Sequence, residues 1–307
     1  MYRPSFFAAV MATGIVGLAV RDAGSWAVAW VLAALAAVAY VVLVALHVRE
    51  RWVPTSRGDA VQLFAFVAAT EVLASLSTWH TVSVVLWCVG VAAWVAIAAV
   101  VVRAPLQADV VRPSWLLAPV ATSSLAVSGA PIARRLHSDV LLAICAACWL
   151  LGLVLYAMVI ALIARRRSLE FNDFQGEHWV AMGALAIATL AGSRVLACIT
   201  ALRWGPHDVA DTLTVVVWVV ALCWLPALVA VEGWRLRRPP LYTSGRWSSV
   251  FPLGMLAVAS HALWLTAGGR PQHVVFAVFV PLAAAAWVAT AAGFLTLASA
   301  RDRPHAL

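Results

Sequence analysis

Three ionisable side chains, Glu71, Arg194 and His261, lie well inside long apolar stretches of the sequence and at similar depths. A charge in a hydrocarbon environment is costly unless it is paired or hydrated. We therefore expect an ion pair between Glu71 and Arg194, with His261 as a third member of the group. Two interpretations remain open: a structural ion pair between two helices, or a polar lining for an anion or a protonatable gate.

A second group with chemical meaning is Phe251, Pro252 and Gly254, near the start of another apolar stretch. Proline removes a backbone donor and glycine loosens a helix, and lipid tolerates this only where protein or a water-lined cavity satisfies the freed carbonyl groups. Broken helices of this kind accompany substrate pathways in transport proteins. A proline kink packed against lipid or another helix is the alternative.

The composition defines the broad class of protein. Of 307 residues, 64% are hydrophobic and 11% charged, and the mean hydropathy is +0.95. Such a chain cannot bury its apolar surface in a soluble core, so we expect an integral membrane protein in the lipid bilayer. A formal net charge of +8 fits the basic loops of membrane proteins, and no nucleic-acid partner is predicted. The five cysteines all lie in apolar segments, which argues against a disulfide framework.

The pattern of hydropathy predicts an all-α fold with ten transmembrane helices in a single domain, residues 1–307. The first segment has the length of a signal-peptide core, but no cleavage site follows, so we expect a retained first span. The segments after it are long enough to cross a bilayer. The ten segments are approximately 5–20, 26–46, 60–78, 81–102, 114–132, 140–164, 179–202, 209–231, 248–268 and 274–300.

The distribution of arginine fixes the predicted orientation, because loops on the cytoplasmic side carry an excess of positive charge. The richer side is that of the N-terminus. It holds Arg3, Arg49, Arg51, Arg57, Arg103, Arg112, Arg165, Arg166, Arg167, Arg235, Arg237, Arg238, Arg246, Arg301 and Arg303. The opposite side holds Arg21, Arg134, Arg135, Arg203 and Arg270, with Arg194 near it. Both termini are therefore expected in the cytoplasm, with the protein in the cell membrane.

Loop lengths and side-chain chemistry predict five helical hairpins. The odd-numbered helices carry most of the small and polar residues, and the even-numbered helices are mostly Val, Ala, Leu and Trp. Because polar residues avoid lipid, we expect odd helices inside and even helices outside, around a central pore; a close-packed bundle is the alternative. The predicted pore lining comprises Thr13, Gly14, Thr70, Glu71, Thr122, Ser123, Gly183 and His261.

Four stretches then identify a family resemblance. The segments 7–16, 179–187, 223–226 and 247–255 resemble the first, seventh, eighth and ninth helices of the tellurite-resistance/C4-dicarboxylate transporter family, which includes the slow anion channels. The resemblance implies ten helices around a central pore, a homotrimer, and a phenylalanine on the ninth helix that closes the pore. Phe251 matches that gate, next to Pro252 and Gly254.

The resemblance also implies the substrates, which are small inorganic or carboxylate anions such as malate, tellurite, sulfite or a halide. Glu71 departs from it, since an uncharged residue is expected there and a carboxylate in the lining would repel anions. We expect a channel or proton-coupled transporter that is not an enzyme, with no cofactor and no metal. An intramembrane enzyme or cofactor-carrying protein is the alternative, and it would need nucleophile, base or ligand groups converging at one depth.

Overall fold

The computed structural model describes residues 6–51, 53–54, 56–103, 112–165, 176–205, 207–235, 237 and 244–301. Five of the arginines used to predict the orientation lie outside this part of the chain: Arg3, Arg166, Arg167, Arg238 and Arg303. The described helices are α1 (Phe7–Asp22), α2 (Trp26–Glu50), α3 (Arg57–Gln62), α4 (Phe64–Leu76), α5 (His80–Arg103), α6 (Leu117–Leu136), α7 (Asp139–Arg165), α8 (Val180–Leu202), α9 (His207–Cys223), α10 (Leu225–Arg235), α11 (Trp247–Ala267) and α12 (Arg270–Arg301).

All ten predicted segments fall on helix, so the all-α membrane fold is confirmed. The third segment is divided into α3 and α4 at Leu63, and the eighth into α9 and α10 at Trp224, two residues before Pro226. Within the described ranges, nine helical segments are long and apolar enough to cross a membrane. The remaining one, α1, has 16 residues and is buried from Val10 to Val20.

The helices form two layers that differ in burial. In the apolar stretches that contain α4, α6, α8 and α11, between 67% and 83% of residues are buried, against between 11% and 28% in those of α2, α5, α7, α9–α10 and α12. Polar and small residues are thus concentrated in the inner layer, and the outer layer turns Val, Leu and Trp outward. This difference in burial follows the predicted distinction between odd and even segments.

The five inner helices, α1, α4, α6, α8 and α11, contact one another in a closed order. Helix α1 packs on α4, α4 on α6, α6 on α8, α8 on α11, and α11 returns to α1. Each inner helix also packs against the outer helix that follows it in the chain. The connections are tight where the chain reverses: Gly268 and Gly269 join α11 to α12 with φ of +74° and +110°, which glycine adopts without steric cost.

Candidate functional site

The hydroxyl groups of the inner layer are bonded to aromatic side chains of the outer layer. The indole N–H of Trp287 on α12 donates to Thr13 Oγ1 over 3.0 Å, and that of Trp94 on α5 donates to Thr122 Oγ1 over 2.9 Å. Inside a bilayer each buried indole N–H needs an acceptor, and the threonine supplies it. The same arrangement joins Trp218 Nε1 to Ser260 Oγ over 2.9 Å and the Tyr40 hydroxyl to Thr70 Oγ1 over 2.8 Å.

These bonds correct part of the predicted pore lining. The hydroxyls of Thr13, Thr70 and Thr122 face the outer layer and not the centre of the helix ring. They were expected to face inward because polar groups avoid lipid, but a polar partner on an outer helix meets the same requirement. Ser123 belongs with them, because a Cβ built on Gly152 of the outer helix α7 would overlap its Oγ.

Glu71 is also turned towards the outer layer. Its side chain is 1% exposed, Ser128 of α6 donates a hydrogen bond to its Oε2, and its Oε1 lies against Gly90 of α5. A Cβ added at Gly90 would overlap Oε1 and lie 2.9 Å from the carboxyl carbon. Glycine at position 90 therefore makes the space that the carboxyl group occupies.

The expected ion pair between Glu71 and Arg194 is not formed. In the part of the chain that the structure describes, Glu71 bonds to Ser128, and Arg194 makes no hydrogen bond or ion pair. The reason is the direction of the side chains. Glu71 is turned towards the outer layer, so similar depth on two inner helices does not bring it to Arg194.

His261 forms a separate group at the C-terminal ends of the inner helices. Its Nδ1 lies 3.4 Å from Oδ2 of Asp22, and its ring stacks on Phe276 with 4.5 Å between ring centroids. Asp22 in turn lies 3.7 Å from the guanidinium of Arg21. The expected association of His261 with Glu71 is thus replaced by one with Asp22.

The predicted glycines lie at close contacts between inner helices. A Cβ at Gly14 of α1 would come 2.5 Å from Val72 of α4, and a Cβ at Gly183 of α8 would come 2.9 Å from the ring of Pro252 on α11. A Cβ at Gly254 would come 2.9 Å from Ile15 of α1. These glycines let the backbones of the inner ring approach closely, which is how helices associate in membranes.

The sequence analysis did not identify a polar cluster at the opposite end of the inner ring. Glu232 at the end of α10 accepts a hydrogen bond from Trp179 Nε1 over 3.2 Å and forms an ion pair with Arg246, which immediately precedes α11. This cluster ties the N-terminal ends of α8 and α11 to an outer helix. The signal in the sequence was a carboxylate, Glu232, directly after the apolar segment 209–231.

Apolar helices in two layers, with buried polar pairs between the layers and a closed inner ring, define a multi-pass membrane protein. The family model described as voltage-dependent anion channel matches residues 2–295, nearly the whole chain. The chain belongs to this family, which confirms the family resemblance of the sequence.

Two curated relatives from Mycobacterium tuberculosis, of strains CDC 1551 / Oshkosh and H37Rv, are similar over part of the chain. Both are uncharacterised membrane proteins, 36% identical to this chain over 120 residues, which cover 37% of the chain. The chain spans 61% of the length of these relatives.

Proposed function

We propose that the protein conducts small anions along the axis of the inner ring and that Phe251 closes this path. The observation that carries the proposal is the placement of Phe251 on the inner face of α11, where it is 3% exposed. Family membership supports anion transport in general. Contacts on either side of Phe251 support this position for the gate.

Two contacts fix the rotation of α11. Pro252 packs on Gly183 of α8, and Gly254 packs on Ile15 of α1. Successive residues of a helix are about 100° apart, so Phe251 projects into the sector between these two neighbours and Leu253 projects to the other side. The side of Leu253 is the outer one, because Leu253 is partly exposed and Ser260, on the same face, bonds to Trp218 of α9.

The inner face of α11 continues with apolar side chains. Met255, Val258 and Ala262 follow Phe251 at helical spacing, and all are buried. Helix α1 repeats the pattern on the face opposite Thr13, which bonds to the outer helix α12. That face carries Met11, Ile15 and Leu18, which are also buried.

Helix α8 presents Gly183, Ile187, Leu190 and Arg194 on the face opposite Gly192, which packs against Trp149 and Thr214 of outer helices. Apart from Arg194 at the far end, the inner faces named for α1, α8 and α11 are apolar, and an apolar stretch of this kind blocks ions by steric closure and dewetting. Phe251 has the largest side chain among the inner-face residues named for α1, α8 and α11. A rotamer change that moves its ring aside would therefore widen the path more than a rotamer change at any other of these residues.

The direction of the Glu71 side chain is compatible with the passage of anions along the axis. A carboxylate facing the axis would oppose anion passage, whereas the Glu71 side chain is turned to Gly90 and Ser128. The axis is therefore free of that negative charge. This rotation supports anion conduction with Glu71 present, and we propose passive conduction, the simpler of the two modes predicted.

The predictions about orientation, location, assembly and substrates belong to the same proposal. We propose that both termini are cytoplasmic, that the protein lies in the cell membrane, and that it assembles as a homotrimer with one pathway per subunit. The substrates are drawn from malate, tellurite, sulfite and halides. The experiment is uptake of each anion into liposomes with purified protein, at two pH values. Uptake above that of empty liposomes supports conduction, and no uptake of any of these anions contradicts it.

A further inference from the structure

A cavity of about 210 Å³ opens at the C-terminal ends of the inner helices, which the charge distribution places on the extracytoplasmic side. We call it the outer vestibule. Its wall consists of the ends of α1, α4 and α6, of Arg194 about two-thirds along α8, and of His80 and Ser83 at the start of the outer helix α5, so it lies at one end of the inner helices. The charged residues in its wall are arginines: Arg21, Arg134, Arg135 and Arg194, with His80.

This concentration of arginine runs against the rule that sets topology. Arginine is disfavoured on the translocated side of a membrane protein, and the sequence analysis assigned only six arginines to or near that side. Four of the six line the outer vestibule. The other two, Arg203 and Arg270, are exposed and lie outside its wall. A requirement of topology does not explain such clustering, whereas a requirement for an anion does.

Arg194 is the member of the group that makes no hydrogen bond or ion pair within the described part of the chain, although the carboxylate of Asp22 acts on its charge electrostatically. Arg21 lies beside Asp22 and donates to the carbonyl oxygen of Ser75 over 3.5 Å. Arg194 has no hydrogen-bond or ion-pair partner among the described residues, and its Nε is buried without one. The side chain is partly exposed in the cavity wall and its Nε is buried without an acceptor, so its donors are available to a ligand that enters the cavity.

The chemistry of the wall selects the class of ligand. A guanidinium group presents parallel N–H donors that match two oxygens of a carboxylate or an inorganic oxyanion, whereas a spherical halide accepts no such fork. Hydroxyl groups of Ser75 and Ser128 lie in the same wall, but each already donates its hydrogen to Glu71, to the backbone carbonyl and to Oε2 respectively, so the arginines supply the donors for a ligand. The chain contains no lysine, so the basic groups in the wall are the guanidinium groups of arginine and the imidazole of His80.

We propose that the outer vestibule is a binding site for small oxyanions, carboxylate or inorganic, with Arg194 as its innermost ligand. The site deepens the proposed function and rests on it for its role, since Arg194 lies on the same face of α8 as Leu190 and Ile187, about one turn beyond Leu190. An oxyanion held there is placed at the entrance of the apolar axis. A positively lined recess also raises the local concentration of anions.

The test is calorimetric titration of the purified full-length protein with malate, sulfite and chloride at constant ionic strength. Arg194→Gln removes the charge, and Arg194→Lys keeps the charge but removes the fork. Arg203→Gln and Arg270→Gln are matched controls, because each removes one positive charge from the same side outside the vestibule. Thermal unfolding in detergent verifies that each variant is folded.

We expect malate or sulfite to bind more tightly than chloride, and Arg194→Gln to weaken oxyanion binding about tenfold or more. Arg194→Lys should lose oxyanion affinity and keep that for chloride, while both controls match the wild-type protein. The proposal is overturned if folded Arg194→Gln binds oxyanions as the wild type does, if the controls lose as much, or if neither malate nor sulfite binds. Liposome uptake separates the two claims: uptake without oxyanion binding removes the vestibule site alone, and binding without any uptake removes conduction alone.

Discussion

Replacement of Gly90 by alanine tests the rotation of Glu71, on which the electrostatics of the pathway depend. The added Cβ would overlap Glu71 Oε1 and lie 2.9 Å from the carboxyl carbon. The carboxyl group must then swing away and lose its hydrogen bond from Ser128. Overpacking costs about 1–3 kcal/mol and a lost buried hydrogen bond about 1–3 kcal/mol, so we expect Gly90→Ala to destabilise the protein by about 2–6 kcal/mol.

The same substitution should be harmless once the carboxyl group is gone. In Glu71→Ala, Ser128 keeps its bond to the carbonyl oxygen of Ser124 over 3.2 Å, and the space against Gly90 is empty. Gly90→Ala made in that background should therefore change stability by less than about 0.5 kcal/mol, or raise it by filling the space. Nearly the whole cost of Gly90→Ala should appear as coupling energy between the two positions.

The measurement is the free energy of unfolding by SDS titration in mixed micelles for the wild type, the two single variants and the double variant. Gly233→Ala is the control, since a Cβ there meets nothing within 4 Å. If Gly90→Ala costs the same with and without the Glu71 carboxyl group, Glu71 does not occupy the space against α5. The claim that its charge lies off the axis would then fail.

Two further substitutions test the packing between and within the layers. Thr122→Val removes the acceptor of Trp94 Nε1 at nearly constant volume and should cost about 1–3 kcal/mol, while Thr122→Ser should retain most of the stability; equal losses in thermal unfolding would contradict the bond. Gly183→Ala brings a Cβ to 2.9 Å from the ring of Pro252 and should cost about 1–3 kcal/mol and alter anion uptake, because α11 must shift. Unchanged stability and uptake would show that this contact does not set the position of Phe251.

The sequence was sufficient to predict the helices and their layers. Length and hydropathy define spans, and the contrast between Thr- and Gly-containing segments and Val-rich ones follows burial. Boundaries shifted by a few residues where local effects act, as at Trp224, where α9 ends ahead of Pro226. Family membership was also predictable, since it depends on residues that the sequence displays.

The direction of each polar side chain was not predictable from depth and composition. Thr13 and Glu71 are both buried, but each is bonded to a side chain of another helix, Trp287 and Ser128 respectively, that depth alone does not reveal. One signal was available: Trp94, Trp218 and Trp287 occur inside outer helices, away from the interfacial belt. A tryptophan at that depth requires an acceptor for its N–H, and an inner-layer hydroxyl is the nearest candidate.

The most direct test of the central claim is anion uptake by Phe251→Ala compared with Leu253→Ala. The two residues are neighbours on α11 on opposite faces, Phe251 3% exposed and Leu253 partly exposed. Both truncations remove apolar volume, and Phe251→Ala should lower stability by about 3–5 kcal/mol. We predict that Phe251→Ala nevertheless raises uptake per folded protein above the wild type, whereas Leu253→Ala does not. Uptake by folded Phe251→Ala at or below the wild-type level would contradict the gate.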